Sequence, residues 1–151
     1  GHTAGQIGIR EARRIRGRYY LRTEDLVKGR RFDDAVASCA FVVDVHDPEA
    51  REKTGWDDKI SIKPYEIPYR CLQPEGIDGL LTAGRCISGT HEAHASYRTT
   101  GTAAALGQGA GLAAAWAVNE GVKLTDVPGD KLKQALQQRG AAMADKAVPS
   151  V

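Results

Sequence analysis

Residues 79–119 decide the reading of this chain. They run Gly79-Leu80-Leu81-Thr82-Ala83-Gly84-Arg85-Cys86-Ile87-Ser88, then Gly89-Thr90-His91-Glu92-Ala93-His94-Ala95-Ser96-Tyr97-Arg98, and then TTGTAAALGQGAGLAAAWAVN over 99–119. Leu80 to Gly84 reads as a short apolar strand ending in glycine, and a polar loop with Arg85, His91, Glu92, His94 and Arg98 follows. Thr99 to Asn119 has no charged residue, is rich in alanine and is followed by Gly121, which predicts a long helix with a glycine stop. Such a helix, apolar all round, is expected to be buried. Its length touches that of a membrane span, but Ala, Gly and Gln108 in place of large apolar side chains argue against insertion. Glycines inside it cost about 1 kcal/mol each, so they imply close approach of another backbone or a ligand.

A glycine at the carboxyl end of a strand lets a ligand reach the backbone. The free N–H groups of the next helix start attract an anion or a polar carbonyl. This suits a nucleotide cofactor, and a tightly packed strand-to-helix connection explains the same residues. Gly107-Gln108-Gly109-Ala110-Gly111 is not GxGxxG, and the chain has no P-loop. Cys86, His91 and His94, with Glu92 or Cys71, lack the paired spacing of a zinc site, and no metal is expected. His91 and His94 beside Arg98 offer acid–base groups next to a permanent cation able to hold a carboxylate or phenolate. Polar loop side chains satisfying backbone groups are the plainer alternative.

Outward from this stretch, 151 residues, 42% apolar and 26% charged, allow one domain with a real core and exclude collagen-like, coiled-coil and disordered classes. The net charge is +2, unevenly spread: residues 1–31 carry nine basic side chains against Glu11, Glu24 and Asp25, giving +6 there and −4 elsewhere. Nine basic groups raise a nucleic-acid hypothesis. Alternation on a strand would split the arginines between faces, so a solvated strand face or ion pairs with an absent part of the parent chain explain them better. Three cysteines, Cys39, Cys71 and Cys86, make no disulfide framework and favour a reducing, cytoplasmic setting. The start Gly1-His2-Thr3 has neither Met nor an apolar leader, which suggests a piece of a longer protein.

The remaining elements are read from local signals. Residues 8–22 suggest one or two strands, and Thr23 an N-cap for a helix over Glu24–Lys28 that ends at Gly29. Asp33 or Asp34 could cap a second helix through Ala35–Cys39, and Phe41 to Val45 a strand. Residues 49–59 read as a loop, and Ile60 to Leu72 as two short strands broken by Pro64 and Pro68. Asp130 is a candidate N-cap for an amphipathic helix with Leu132 and Leu136, stopped by Gly140 and followed by a frayed tail.

One series of segments resembles a known family. Gly8-Ile9-Arg10-Glu11-Ala12-Arg13-Arg14-Ile15, LVKGRRFDD over 26–34, and Ile67-Pro68-Tyr69-Arg70-Cys71-Leu72 open it. Gly79 to Ser88, His91-Glu92-Ala93-His94 and Gly107 to Gly111 continue it. In this order they resemble the C-terminal part of bacterial FAD-dependent oxidoreductases of the fumarate reductase flavoprotein-like, glutathione-reductase-type class, from about residue 8 to 140.

The resemblance implies an α/β fold, α+β as a fragment: the end of a β-rich substrate domain over 3–75, the returning strand and buried helix of a Rossmann-like FAD domain over 76–121, and a terminal helix and tail over 122–151. It places Ala83, Gly84 and Arg85 near the ribityl and pyrophosphate, and Gly101, Thr102 and Ala103 at the helix start facing the flavin ring. Arg85 departs from the acidic residue of many relatives, which leaves its contact open. Arg98 is expected to orient an anionic group of a small-molecule substrate, and His91 or His94 to move a proton. The GxGxxG of such enzymes is absent from these residues, so the chain alone is expected to bind FAD weakly or not at all and to be inactive. Its partners would be the missing N-terminal part or a second copy covering exposed apolar surface, with no membrane or nucleic acid. The alternative is a non-catalytic basic module that binds nucleic acid or an acidic partner.

Overall fold

The computed structural model describes residues 11–45 and 60–143. The expected loop at 49–59, the segment 8–10 and the tail beyond Met143 lie outside them. The described elements are α1 (Thr23–Lys28), β1 (Ala35–Cys39), β2 (Tyr65–Pro68), α2 (His91–Tyr97), α3 (Thr100–Glu120) and α4 (Gly129–Gln138), with 3-10 turns at Tyr69–Cys71, Gly84–Cys86 and Leu124–Asp126. Helices and a two-stranded sheet make a mixed α/β arrangement.

The centre is the antiparallel β1–β2 pair, in which Ala37 faces Ile67 and Cys39 faces Tyr65. Both strands are almost wholly buried, β1 packs on α3 and α4, and Ala35, Val36, Tyr65, Ile67, Leu106, Ala113, Leu132 and Leu136 share one core. This overturns the expected helix over Ala35–Cys39. A five-residue stretch forms few intrahelical bonds, whereas pairing with β2 satisfies its backbone while burying both faces.

Other expectations for strands also fail. Residues 11–22 form only isolated bridges, Gly17 with Pro74 and Leu21 with Gly89, because their backbone bonds go to separate segments: Ile15 to Cys86, Arg18 to Gln73, Tyr19 to Arg70. Phe41 to Val45 forms no ladder, and 60–72 holds one strand, bounded by Pro64 and Pro68, followed by a 3-10 turn. Leu80 to Gly84 is not a strand either. Its Thr82 N–H donates to the Leu72 carbonyl at 2.9 Å, and the segment enters the Gly84–Cys86 turn without a paired neighbour among the described residues.

Helix α1 spans nearly the expected residues, with Arg22 rather than Thr23 at the N-cap. The Asp25 carboxylate accepts from the Arg22 N–H at 3.0 Å, so the acidic side chain inside the first turn does the capping. Gly29 and Gly121 end α1 and α3 in the left-handed conformation (φ 62° and 65°). Pro128, not Asp130, caps α4, and Asp130 lies in its first turn.

The long helix differs most in its surroundings. Only Thr102, Leu106, Gly109, Ala113 and Ala117 are buried, one stripe facing β1, while Val118 stays 81% exposed. Gly109 explains itself: a Cβ there would stand 2.8 Å from that of Val36. Gly101, Gly107 and Gly111 face open space. Among the described residues, no helix is long and apolar enough to cross a membrane.

Candidate functional site

Thr90 starts α2: its hydroxyl accepts from the Ala93 N–H at 3.1 Å, so the residues read as a loop are helical. Two turns of helix bring His91, His94 and Arg98 to one side. Ser96, on the buried face, accepts from the Tyr65 hydroxyl at 2.9 Å and donates to the Phe41 carbonyl. That bond lays the 41–45 segment along α2 and delivers Asp44 to Arg98.

The result is a small cavity of about 110 Å³ lined, among the described residues, by Glu11, Asp44, Val45, His91, His94, Ala95 and Arg98. All three expected catalytic residues meet there. Arg98 Nη2 donates to the Asp44 carboxylate at 2.8 Å and to the Asp44 carbonyl at 3.0 Å. His91 Nδ1 stands 2.6 Å from Glu11 Oε2, and His94 Nδ1 is 3.7 Å from the same oxygen, beyond hydrogen-bond reach. The other Glu11 oxygen pairs with Arg14. His94 is fully buried, edge-on to Tyr97. Burial first, and then Arg14 and Arg98, lower its pKa to about 4, so it is neutral near pH 7.

Glu11 and Asp44 are the members the sequence did not single out. Each lies far along the chain from α2, and no spacing signals a contact made only by folding. Among the described residues, no His, Cys, Asp and Glu group could hold a metal ion. Cys71 is buried with its thiol pKa raised, chiefly by desolvation.

The expected cofactor contacts come together at the start of α3. Gly84 has φ 78°, open to glycine and strained for other residues, and a Cβ there would lie 3.7 Å from that of Ala103. Thr99 is the N-cap but makes no side-chain cap; its hydroxyl meets that of Thr102 at 3.1 Å instead. The first intrahelical bond runs from the Ala103 N–H to the Thr99 carbonyl, leaving the Thr100, Gly101 and Thr102 amides ahead of it. Thr102 itself is buried, its hydroxyl 3.5 Å from the Cys39 sulfur at the carboxyl end of β1. Gly101 opens to solvent, Ala83 accepts from the Cys86 thiol at 3.4 Å, and Arg85 is exposed and engaged. Arg98 closes α2 and Thr99 opens α3, so the cavity and the uncapped amides are joined by consecutive residues.

Three of the N-terminal arginines pair with carboxylates within the chain: Arg14 with Glu11, Arg16 with Glu75 at 2.6 Å and Arg30 with Asp25 at 3.0 Å. Arg30 and Arg70 also flank the Tyr19 ring.

The family model described as FAD dependent oxidoreductase matches residues 1–136, most of the chain. No curated protein and no solved structure matches it.

Proposed function

The chain belongs to the FAD dependent oxidoreductase family, and on that premise we propose that it forms the flavin-ring and substrate-facing part of an enzyme moving a hydride between an organic substrate and FAD. The observation that carries this reading is the uncapped start of α3 beside the Gly84 turn, one residue from the histidine cavity. The placement follows the pattern of glutathione-reductase-type flavoproteins, to which the sequence bears its resemblance.

The residues fit the group in two ways. A side chain at Gly84 would fill the space against Ala103, so its absence leaves the backbone approachable. The three leading amides and the positive end of a 21-residue helix dipole suit the carbonyl edge of a flavin, where negative charge gathers on reduction. When bound, FAD supplies the hydride acceptor or donor. The Gly101 and Thr102 amides would hold that edge, and Ala83, Gly84 and Arg85 would support the chain that leads to the pyrophosphate.

The cavity handles the proton. A substrate C–H that leaves as hydride releases the proton of its neighbouring O–H, and a base must accept it. His94, buried and neutral, has a ring nitrogen able to do so, and His91 is held by Glu11 as a second carrier. Glu11 is a positioning residue for His91, and Asp44 for Arg98. The absence of GxGxxG within these residues supports weak retention of FAD by the chain on its own.

The reading is tested by following FAD absorbance and fluorescence on titration with wild type and Gly84→Val, circular dichroism confirming that both fold. Wild type is expected to perturb flavin at high micromolar concentration and the variant not to. Equal perturbation by both removes the Gly84 cradle from the account.

A further inference from the structure

We propose that the Thr102 hydroxyl keeps the start of α3 open to the flavin, by drawing Thr99 away from the cap it would otherwise make. Thr99, Thr102 and Cys39 are then positioning residues of the cofactor site. The inference rests on the reading of that helix start as the place of the flavin edge, and adds the device that leaves its amides unspent.

The molecule holds its own control. Threonine is a good N-cap, its hydroxyl oxygen accepting from an N–H two or three positions on. Thr90 does this at the start of α2, where it accepts from the Ala93 N–H at 3.1 Å. Thr99 occupies the same position at the start of α3 in nearly the same backbone conformation, with φ −71° and ψ 153° against −66° and 169° for Thr90. Yet Thr99 makes no side-chain cap, and its hydroxyl lies 3.1 Å from that of Thr102.

The difference is the residue three positions on. Ala93 offers Thr90 only an amide, whereas Thr102 offers Thr99 a hydroxyl as well. Further bonds fix which group donates. Thr102 Oγ1 donates to Cys39 Sγ at 3.5 Å, and the Cys39 thiol donates to the Ser96 carbonyl at 3.8 Å. With its own proton committed to sulfur, Thr102 accepts from Thr99. The relay is buried from Thr102 through Cys39 to Ser96, where an unmade bond is costly, so it prevails over the cap. The Gly101 and Thr102 amides, from which a threonine cap would accept, are left without a partner among the described residues. An acceptor from outside the helix can then take them, and on the proposed reading it is a flavin carbonyl oxygen.

Amide hydrogen exchange of the folded chain, followed by FAD titration in ¹⁵N-correlated NMR spectra, tests this. In wild type the Thr102 amide, corrected for its intrinsic rate, is expected to exchange at least about fivefold faster than the capped Ala93 amide. Thr102→Ala gives α3 the Thr-x-x-Ala start of α2. It is expected to slow exchange at residue 101 or 102 by about fivefold and to weaken the FAD-induced shifts at 101–103 by at least about threefold. Adding Thr99→Ala removes the new cap and is expected to restore both, a reversal that mere loss of packing at residue 102 would not give. Thr102→Ser, which keeps the hydroxyl, is expected to change neither by more than about twofold. The wild-type comparison decides alone if the variants do not fold. Equal protection of Thr102 and Ala93, unchanged exchange in Thr102→Ala, or no restoration by Thr99→Ala overturns the inference, while FAD shifts at the wild-type amides leave the cofactor reading standing. Wild-type amides that do not respond to FAD overturn both.

Discussion

At the scale of single residues, His94 is the most exposed to test. Its pKa falls from 6.5 to about 4 on folding, because burial and the nearby Arg14 and Arg98 guanidinium groups disfavour the imidazolium. Between these values the unfolded chain takes up a proton that the folded chain does not. Acidification from pH 6.5 to 4 therefore draws stability away, and above pH 6.5 the residue costs nothing. Melting curves across this window are expected to show a shallower decline for His94→Gln than for wild type; parallel declines would mean that the imidazole is protonated in the fold. A second residue-level prediction concerns two arginines that the sequence already sets apart, Arg98 in the candidate site and Arg16 in the basic N-terminal run. Arg16 pairs with Glu75 in an exposed position, while Arg98 and Asp44 shape the cavity. In the flavin-loaded enzyme of which this chain is proposed to form a part, Arg98→Ala is expected to slow substrate-driven bleaching of the flavin band by about tenfold or more, and Arg16→Ala by less than about twofold. Equal effects would separate the cavity from the chemistry.

At the scale of elements, the glycines of α3 divide by what they face. Gly107 and Gly111 meet open space, so alanine at either is expected to raise stability by up to about 1 kcal/mol. Gly109→Ala drives a methyl against Val36 and is expected to cost about 1–3 kcal/mol. Thermal melts of the three variants check the ranking. Helix α4 depends on another device: Lys133 donates to Glu66 at 3.0 Å and to the Phe32 carbonyl at 3.0 Å, while Glu66 is wholly buried and also accepts from the Phe32 N–H. Lys133→Met strands a buried carboxylate and is expected to cost about 3–5 kcal/mol, much of it recovered by adding Glu66→Gln. Denaturant unfolding of the single and double variants measures the recovery, and its absence would mean that the pair does not anchor α4.

These elements also show what could be read from sequence. Helix α3, with its Gly121 stop, was legible because the uncharged, alanine-rich run over 99–119 admits little else. The histidine segment reads as a loop from its polar composition and is a helix, because the Thr90 hydroxyl accepts from the Ala93 N–H and starts α2. Ala35–Cys39 misled, because alanine favours helix locally and only its partner Tyr65–Pro68 makes it a strand. Leu80–Gly84 misled in the opposite sense: its composition is that of a strand, and no neighbouring strand among the described residues pairs with it. Glu11 and Asp44 were silent because ion pairs across the fold leave no mark on spacing.

At the scale of the whole molecule, three stretches of the chain converge on one corner. The 11–15 segment brings Glu11, the run after β1 brings Asp44, and the α2–α3 junction brings the histidines, Arg98 and the uncapped amides. On the proposed reading, this corner holds the flavin ring. Its most direct test is an FAD titration followed amide by amide in ¹⁵N-correlated NMR spectra, with ADP as the control lacking the ring. The account predicts fast-exchange shifts at Gly84, Arg85, Gly101, Thr102 and Ala103, produced by FAD and not by ADP. Shifts that ADP reproduces, or shifts that gather elsewhere while these five amides stay still, would contradict it.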